Sequence, residues 1–527
     1  MKKKCCFVSV ILVLILICSN GLSYSIEKDA DNHVYRRIFI NNPISLDPKK
    51  LEGTFSMHLV LQMAESLLSI EKNRIAPAVA KRWEISKDLL EYTFYLDQTS
   101  KFDNGQQITA KDVVNTYKYL LSKDSLLLQE LSVIEGAIDY IKGSSNEVKG
   151  IVALSSNIVK IKLIKPFASF LEMIASPLFA IYPKSSLTLL NEKKVVPVVS
   201  SGPYKLVNYL PDKTIVLEKN RFYRNADSVY YDKIIYSKVK SKEKALVSFE
   251  QLKYDDIWPY FVKELPISIN SHFKKIPVTN PMITYIGFNL YKPIVNRISF
   301  RKFIAKNIAV EGYLSKLGLP SHYKSNRFIP RGVIGFREIP FDKNYNVKED
   351  SLELLQKSGC TITKKCVLEL IYEKDDLEAL EILFEPLKKY NSYVELHLKF
   401  IPRIPWYDSF IKQEYSMIYL SYVPRYYSPH SVVTYLLDDA YYPGLKRENI
   451  KVLIEQTQHV KDKSLIASLY QQVDDDLCKQ YVVIPLYHGN VPYFYVSKDI
   501  IGYEQPVYDA ALLKIKDLKP NNIQNEN

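Results

Sequence analysis

The sequence predicts an α/β fold, on three observations. Strand-like and helix-like stretches intermix along the whole chain, and the last third alternates the two in regular order. The composition is that of a packed globular protein, with 47% hydrophobic and 24% charged residues among 527. At about 150 residues per domain this is roughly three to four domains' worth of polypeptide. No linker, low-complexity tract or fixed repeat divides it.

In chain order, Leu59 to Leu68 reads as a helix with Leu59, Val60, Met63 and Leu67 on one face. Tyr92-Thr93-Phe94-Tyr95-Leu96 alternates like a strand. Thr109 with Asp112 three positions on is a capping signal, and Val113, Tyr117, Leu120 and Leu121 form the apolar stripe of the helix that follows. Val159, Ile161 and Leu163 alternate with lysines in a half-exposed strand stopped by Pro166. Thr214 to Leu217, Ile234 to Val239 and Met282 to Leu290 read as further strands. A helix from Lys348 to Ser358 ends at Gly359, a C-cap residue. Strand Val367 to Tyr372, helix Asp375 to Tyr390, strand Val394 to Phe400, a short helix around Trp406 to Lys412 and strand Met417 to Tyr422 follow. That alternation within about 55 residues predicts a parallel sheet. Ligands of such sheets bind beyond the carboxyl ends of the strands, which directs attention to the segment after Tyr422.

The formal charge is +13 and falls to +10 once Lys2, Lys3 and Lys4 are removed. The remaining lysines come as scattered pairs, with no run of the length that marks a nucleic-acid patch. No nucleic-acid partner is expected. The 40 tyrosines are explained either by an AT-rich coding bias or by a binding surface.

The three lysines, the apolar stretch from Cys5 to Cys18 and the small residues Ser19, Gly21, Ser23 and Ser25 have the layout of a cleavable secretory signal peptide over residues 1–25. Bulky Ile17 before Cys18 argues against lipidation there. The mature protein is expected to be exported. An oxidising compartment permits one disulfide, and Cys360 and Cys366 flank a short loop that could be bridged if their Cα atoms lie close enough. Cys478 falls in a helical pattern as a small buried hydrophobe.

Several chemistries are missing. No two of the eight histidines lie within 20 positions, so no H-E-x-x-H motif exists. No C-x-x-C, G-x-S-x-G, phosphate loop or dinucleotide fingerprint occurs beyond the leader. No enzyme, cofactor or metal is asked for.

A series of motifs then resembles a known family. Ser45-Leu46-Asp47-Pro48 opens it; Ala80, Trp83, Ser86, Asp88, Tyr92, Phe94 and Leu96 follow at matching spacing. Phe102-Asp103-Asn104-Gly105, Thr109-Ala110-Lys111-Asp112-Val113, Ser201-Gly202-Pro203-Tyr204, Asn220 with Tyr223, Gly287-Phe288-Asn289 and Ile484-Pro485-Leu486 continue in the same order. Together they resemble the oligopeptide-binding family (family 5) of periplasmic substrate-binding proteins of ABC importers. Each motif also has a plain structural reading as core strand, turn or helix start, and fold alone does not fix function.

The resemblance implies a two-lobed periplasmic-binding-protein-like α/β fold, of the large peptide-binding type, closing by a hinge. Lobe one would hold residues 26–54, 182–285 and 485–527, with residues 55–181 as an extra subdomain; lobe two would be 286–484. Met282 to Asn289 and Val483 to Tyr487 would be the crossing strands. The implied function is capture of peptides or peptide-like solutes by a monomer that delivers them to the permease subunits of an ABC importer. The alternative is the same fold carrying or sensing a non-peptide ligand, such as a metal chelate, haem or an anionic solute.

Ligand-binding residues are expected at Phe55, Ser421, Tyr422, Val423, Arg425, Tyr426 and Tyr427. Here the sequence departs from the family, whose acid at position 425 would pair with a peptide's free α-ammonium. Arg425 reverses that sign, which predicts an anionic or N-blocked ligand. Otherwise Arg425 turns to solvent and an acid such as Asp438 or Asp439 takes the ammonium. The family's D-x-R-x-R and A-I-D are likewise altered, to Arg297-Ile298-Ser299-Phe300-Arg301 and Asn307-Ile308-Ala309.

Overall fold

A computed structural model describes residues 33–521 apart from 44, 52, 72–73, 192–198, 252, 258–270, 278–280, 343–344, 374–375, 403–408, 411, 438–441, 443, 461, 490–492 and 504–512. The signal-peptide reading, most of the short helix around Trp406 and the acids Asp438 and Asp439 lie outside the described residues.

Two large sheets form the framework. The first has seven strands in the order Phe273–Pro277, Tyr493–Ser497, Asp256–Ile257, Val34–Phe39, Lys233–Lys238, Thr214–Lys219 and Tyr204–Leu210. Val34–Phe39 runs parallel to its two neighbours, and the other pairings are antiparallel. The second has five strands, Val394–Phe400, Cys366–Tyr372, Met417–Tyr422, Ile283–Phe288 and Val483–His488. Its first three are parallel, as the strand-helix alternation predicts, and the last two pair antiparallel. Successive strands change sheets between Pro277 and Ile283 and again between His488 and Tyr493.

The second sheet is covered on both faces, which is why Ile283–Phe288 and Val483–His488 are buried at every position. One face packs Phe300, Phe303, Tyr313, Leu354, Leu380 and Leu383 from four helices. The other packs Val432, Val433, Ile450, Leu453, Tyr470 and Val473 from the helices Pro429–Leu437, Glu448–Gln458 and Lys463–Gln480.

A smaller antiparallel sheet, Ala80–Ile85, Glu91–Leu96, Ile158–Lys162 and Ile151–Ser155, forms the subdomain. Tyr92, Phe94 and Leu96 face its core while Trp83 is only half-buried. The helix Ala110–Leu120 has the capping box formed by Thr109 and Asp112, a motif that contributes about 1 kcal/mol. Among the described residues the subdomain shares its core with the large sheet: one buried cluster runs from Tyr35 and Tyr236 to Phe94, Tyr117 and Phe179.

Two helix readings change. The helix expected from Leu59 lies at Thr54–Met63 instead, and Leu68 begins a hairpin strand, Leu68–Glu71, paired with Arg74–Pro77. The tertiary cause is Gly202, whose amide donates to the Met63 carbonyl at 2.7 Å and docks the Ser201-Gly202-Pro203-Tyr204 turn on the helix end. The helix expected over Asp375 to Tyr390 runs from Leu377 to Phe384 and then tightens to a 3-10 turn, Glu385–Tyr390, at Pro386. Cys360 and Cys366 are disulfide-bonded, with Cα atoms 5.3 Å apart. Cys478 is half-buried rather than fully enclosed, and its thiol donates to the Asn326 carbonyl at 3.4 Å.

Candidate site where the lobes meet

The strand Met417–Tyr422 delivers the expected site segment at its carboxyl end, and the helix Pro429–Leu437 takes the chain away. Between them, residues 423–428 fold into a loop held by Ser431, whose Oγ accepts the Arg425 amide at 3.0 Å. Tyr422 stacks on Tyr435 with centroids 4.1 Å apart, and its hydroxyl donates to the Ser431 carbonyl at 2.9 Å. Burial lifts the Tyr422 phenol to about 12, against the pull of Arg425. Ser421 Oγ lies 2.8 Å from Thr284 Oγ1, and Tyr427 donates to the Gly332 carbonyl at 2.5 Å. Val423 is half-buried against the first core of lobe two.

The two middle residues of the loop leave their own lobe. Tyr426 is 3% exposed and its ring belongs to the hydrophobic cluster of lobe one. Arg425 reaches across to the subdomain rather than turning outward to solvent. Its Nη1 donates to the Leu126 carbonyl at 2.6 Å and lies 3.5 Å from Glu130 Oε1, both in the subdomain. The pair is well shielded, with side-chain exposures of 25% and 9%. Ser176 Oγ adds a bond to the Arg425 carbonyl at 3.4 Å.

Further contacts extend this seam. Ser169 and Ser428 share a hydroxyl bond of 2.5 Å, the Ala168 amide donates to Gln458 at 2.9 Å, and Lys165 meets Glu455 at 3.3 Å. Phe167 packs edge-on against His430 with centroids 4.7 Å apart. Desolvation, helped by Lys165, lowers the His430 imidazole to about 3, so the ring is neutral here. The loop from lobe two is therefore seated on the subdomain, and the two lobes are apposed.

Phe55 sits elsewhere, in the first turn of Thr54–Met63, where it stacks on Phe39 at 4.8 Å and meets the Tyr236 ring edge-on at 5.6 Å. Behind it, Arg37 and Asp256 form a wholly buried ion pair, with Arg37 Nε donating to Asp256 Oδ1 at 2.7 Å. His58 Nε2 lies 3.0 Å from Arg37 Nη1 and 2.9 Å from the Tyr236 hydroxyl. That buried network fixes the ring of Tyr236 and through it Phe55.

The expected residues Ser421 to Tyr427 lie together at the end of the strand Met417–Tyr422 and in the loop after it, and Phe55 lies apart from them; the sequence reading did not name the groups they meet, which are Glu130, the segment from Lys165 to Ser176, and His430. No motif or spacing ties Glu130 to Arg425. His430, directly after Pro429 at the end of the site segment, was the one with a signal.

Comparison with known proteins agrees with this architecture. The family profile for "Bacterial extracellular solute-binding proteins, family 5 Middle" matches residues 74–443. The periplasmic oligopeptide-binding protein OppA of Salmonella typhimurium is 24% identical over 468 residues, 84% of this chain and 85% of that protein. The periplasmic murein peptide-binding protein MppA of Escherichia coli is 24% identical over 510 residues, 91% of this chain and 93% of that protein. The crystal structure of Haemophilus influenzae OppA in complex with RPPGFSPFR superposes with a TM-score of 0.77 at 17% identity, covering 93% of this chain and 99% of that one. With well over half of its length matched by that profile, the chain belongs to the bacterial extracellular solute-binding proteins of family 5.

Proposed function

We propose that this protein captures peptides or peptide-like solutes in the periplasm, reached through a cleaved signal peptide, and presents them as a monomer to the permease subunits of an ABC importer. It performs no chemistry on the solute. The observation that carries the reading is the apposition of lobe two's 421–428 loop to the subdomain, in a chain similar to OppA and MppA over most of its length. A solute enclosed there would be held mainly through its backbone by the main chain of Ser421 to Val423, in the strand-like manner that tolerates varied side chains. Tyr422, Tyr427 and Phe55 would serve as walls, and Arg425 with Tyr426 would close one end.

Residue 425 offers no carboxylate to a free α-ammonium and presents a guanidinium instead, which supports a solute with a blocked or anionic amino-terminal end. Because Glu130 already neutralises much of that charge, a blocked end is favoured over an anionic one. Mass spectrometry of solute retained by protein from its native compartment tests the class; a chelate, haem or other non-peptide there would replace the peptide reading. Calorimetry of wild type and Arg425→Asp against matched free and acetylated peptides tests the end group. A wild-type preference for the free amine of tenfold or more, about 1.4 kcal/mol, overturns it. Incubation with a peptide library should leave every peptide intact.

A further inference from the structure

We propose that the apposition of the two lobes is an acid-released latch, with His430 as its sensing group. The geometry sets His430 at the seam and ties it to both lobes. Its ring edge packs on Phe167 of the subdomain. Its amide donates to Ser428 Oγ at 3.1 Å, and that hydroxyl lies 2.5 Å from Ser169 Oγ across the seam. Its Nδ1 is 3.4 Å from the Tyr470 hydroxyl of helix Lys463–Gln480.

The charged groups around it do not favour an imidazolium. Lys165, from the subdomain, is the cation that faces the ring. Lys165 is itself paired with Glu455, which also meets His459 on the same helix at 3.5 Å. Arg425, on the loop that leads into the helix of His430, is engaged with Glu130. Glu172, on the short helix Phe170–Ile174, faces Tyr470, has Lys463 as its cation, and is pushed upward by burial. Among the described residues no carboxylate hydrogen-bonds the imidazole. Protonating His430 while the lobes are together thus places a cation in a desolvated seam beside another cation. Separating the lobes removes Phe167 and Lys165 and lets water reach the ring.

The sign follows from linkage. His430 titrates near 3 in the closed seam against an ordinary 6.5, so below about pH 6.5 the open form takes up a proton that the closed form refuses. The ceiling on the loss of closure between pH 7.5 and 5.0 is about thirtyfold, and for a half-buried ring about tenfold is expected. Glu172 acts in the opposite sense. Its raised titration makes the closed form the better proton acceptor there, so it limits release at the most acidic pH. None of this depends on the solute.

Hydrogen exchange of the ligand-free full chain at pH 7.5, 6.0 and 5.0, corrected for intrinsic rates, tests the latch. Protection over residues 165–176 should fall about tenfold from pH 7.5 to 5.0, while the reference strands 34–39 and 233–238 hold theirs. In His430→Gln, and in His430→Phe, which keeps an aromatic ring against Phe167, protection should not fall; in Glu172→Gln the fall should be steeper. Wild-type protection that does not fall, that falls equally in both His430 variants, or that is already absent at pH 7.5 overturns the proposal.

Discussion

Tyr426→Ala should weaken lobe closure about a hundredfold, whereas Tyr426→Phe should strengthen it. The ring is 3% exposed and sits in the hydrophobic cluster of lobe one although its backbone belongs to lobe two. A buried tyrosine removes about 150–250 Å² from water, which at about 25 cal/mol/Å² is worth about 4–6 kcal/mol. The hydroxyl works against this, because it is enclosed with no hydrogen-bond partner among the described residues, at a cost of about 1–3 kcal/mol. The net contribution to closure is about 1–5 kcal/mol with a midpoint near 3, and about 2.7 kcal/mol is a hundredfold. Phenylalanine keeps the ring and sheds the stranded hydroxyl, for a gain of about fivefold or more. Hydrogen-exchange protection of residues 165–176 in the ligand-free protein reads closure directly, with strands 34–39 and 233–238 as the internal standard. Protection in Tyr426→Ala within threefold of wild type would refute the reasoning, as would a tenfold loss in Tyr426→Phe.

Three further outcomes are expected. Gly202→Ala should lower the melting temperature of lobe one by roughly 6–10 °C, the equivalent of about 3 kcal/mol, because its Cβ would fall 2.4 Å from the Met63 carbonyl carbon; an unchanged melting curve counts against the docked turn. Replacing Cys360 and Cys366 together by alanine should cost lobe two about 2 kcal/mol in urea unfolding, the amount that closing so short a loop confers; no change would mean the bridge is absent or idle. Asp474 accepts the amides of Phe328 and Ile329, and burial raises its carboxyl to about 6. Its folded-state value is above the unfolded one, so its contribution is present at low pH and is lost as pH rises through 6. Asp474→Asn should therefore stabilise lobe two near pH 7.5 by up to about 3 kcal/mol and do nothing below pH 4, as thermal melts across that range would report.

Much of the fold is legible in the chain because its signals are local. The Thr109 and Asp112 capping box, the alternation over Glu91–Leu96 and the three parallel strands Cys366–Tyr372, Val394–Phe400 and Met417–Tyr422 each depend on residues a few positions apart, and each is found close to where it is expected. The spacing of Leu59, Val60, Met63 and Leu67 predicts a helix as far as Leu68, but the helix stops at Met63. Only the arrival of Gly202 at the Met63 carbonyl, from far along the chain, ends the helix there. The site divides in the same way. Ser421 to Tyr427 can be picked out as a loop beyond a strand end, since that follows from strand order. What those side chains meet is set by contacts such as that of Arg425 with Leu126, 299 positions away, and no periodicity or motif reaches that far. The reversed charge at residue 425 is visible in a single letter, but its counter-ion Glu130 exists only because two lobes come together, where the cost of enclosing a guanidinium demands a partner.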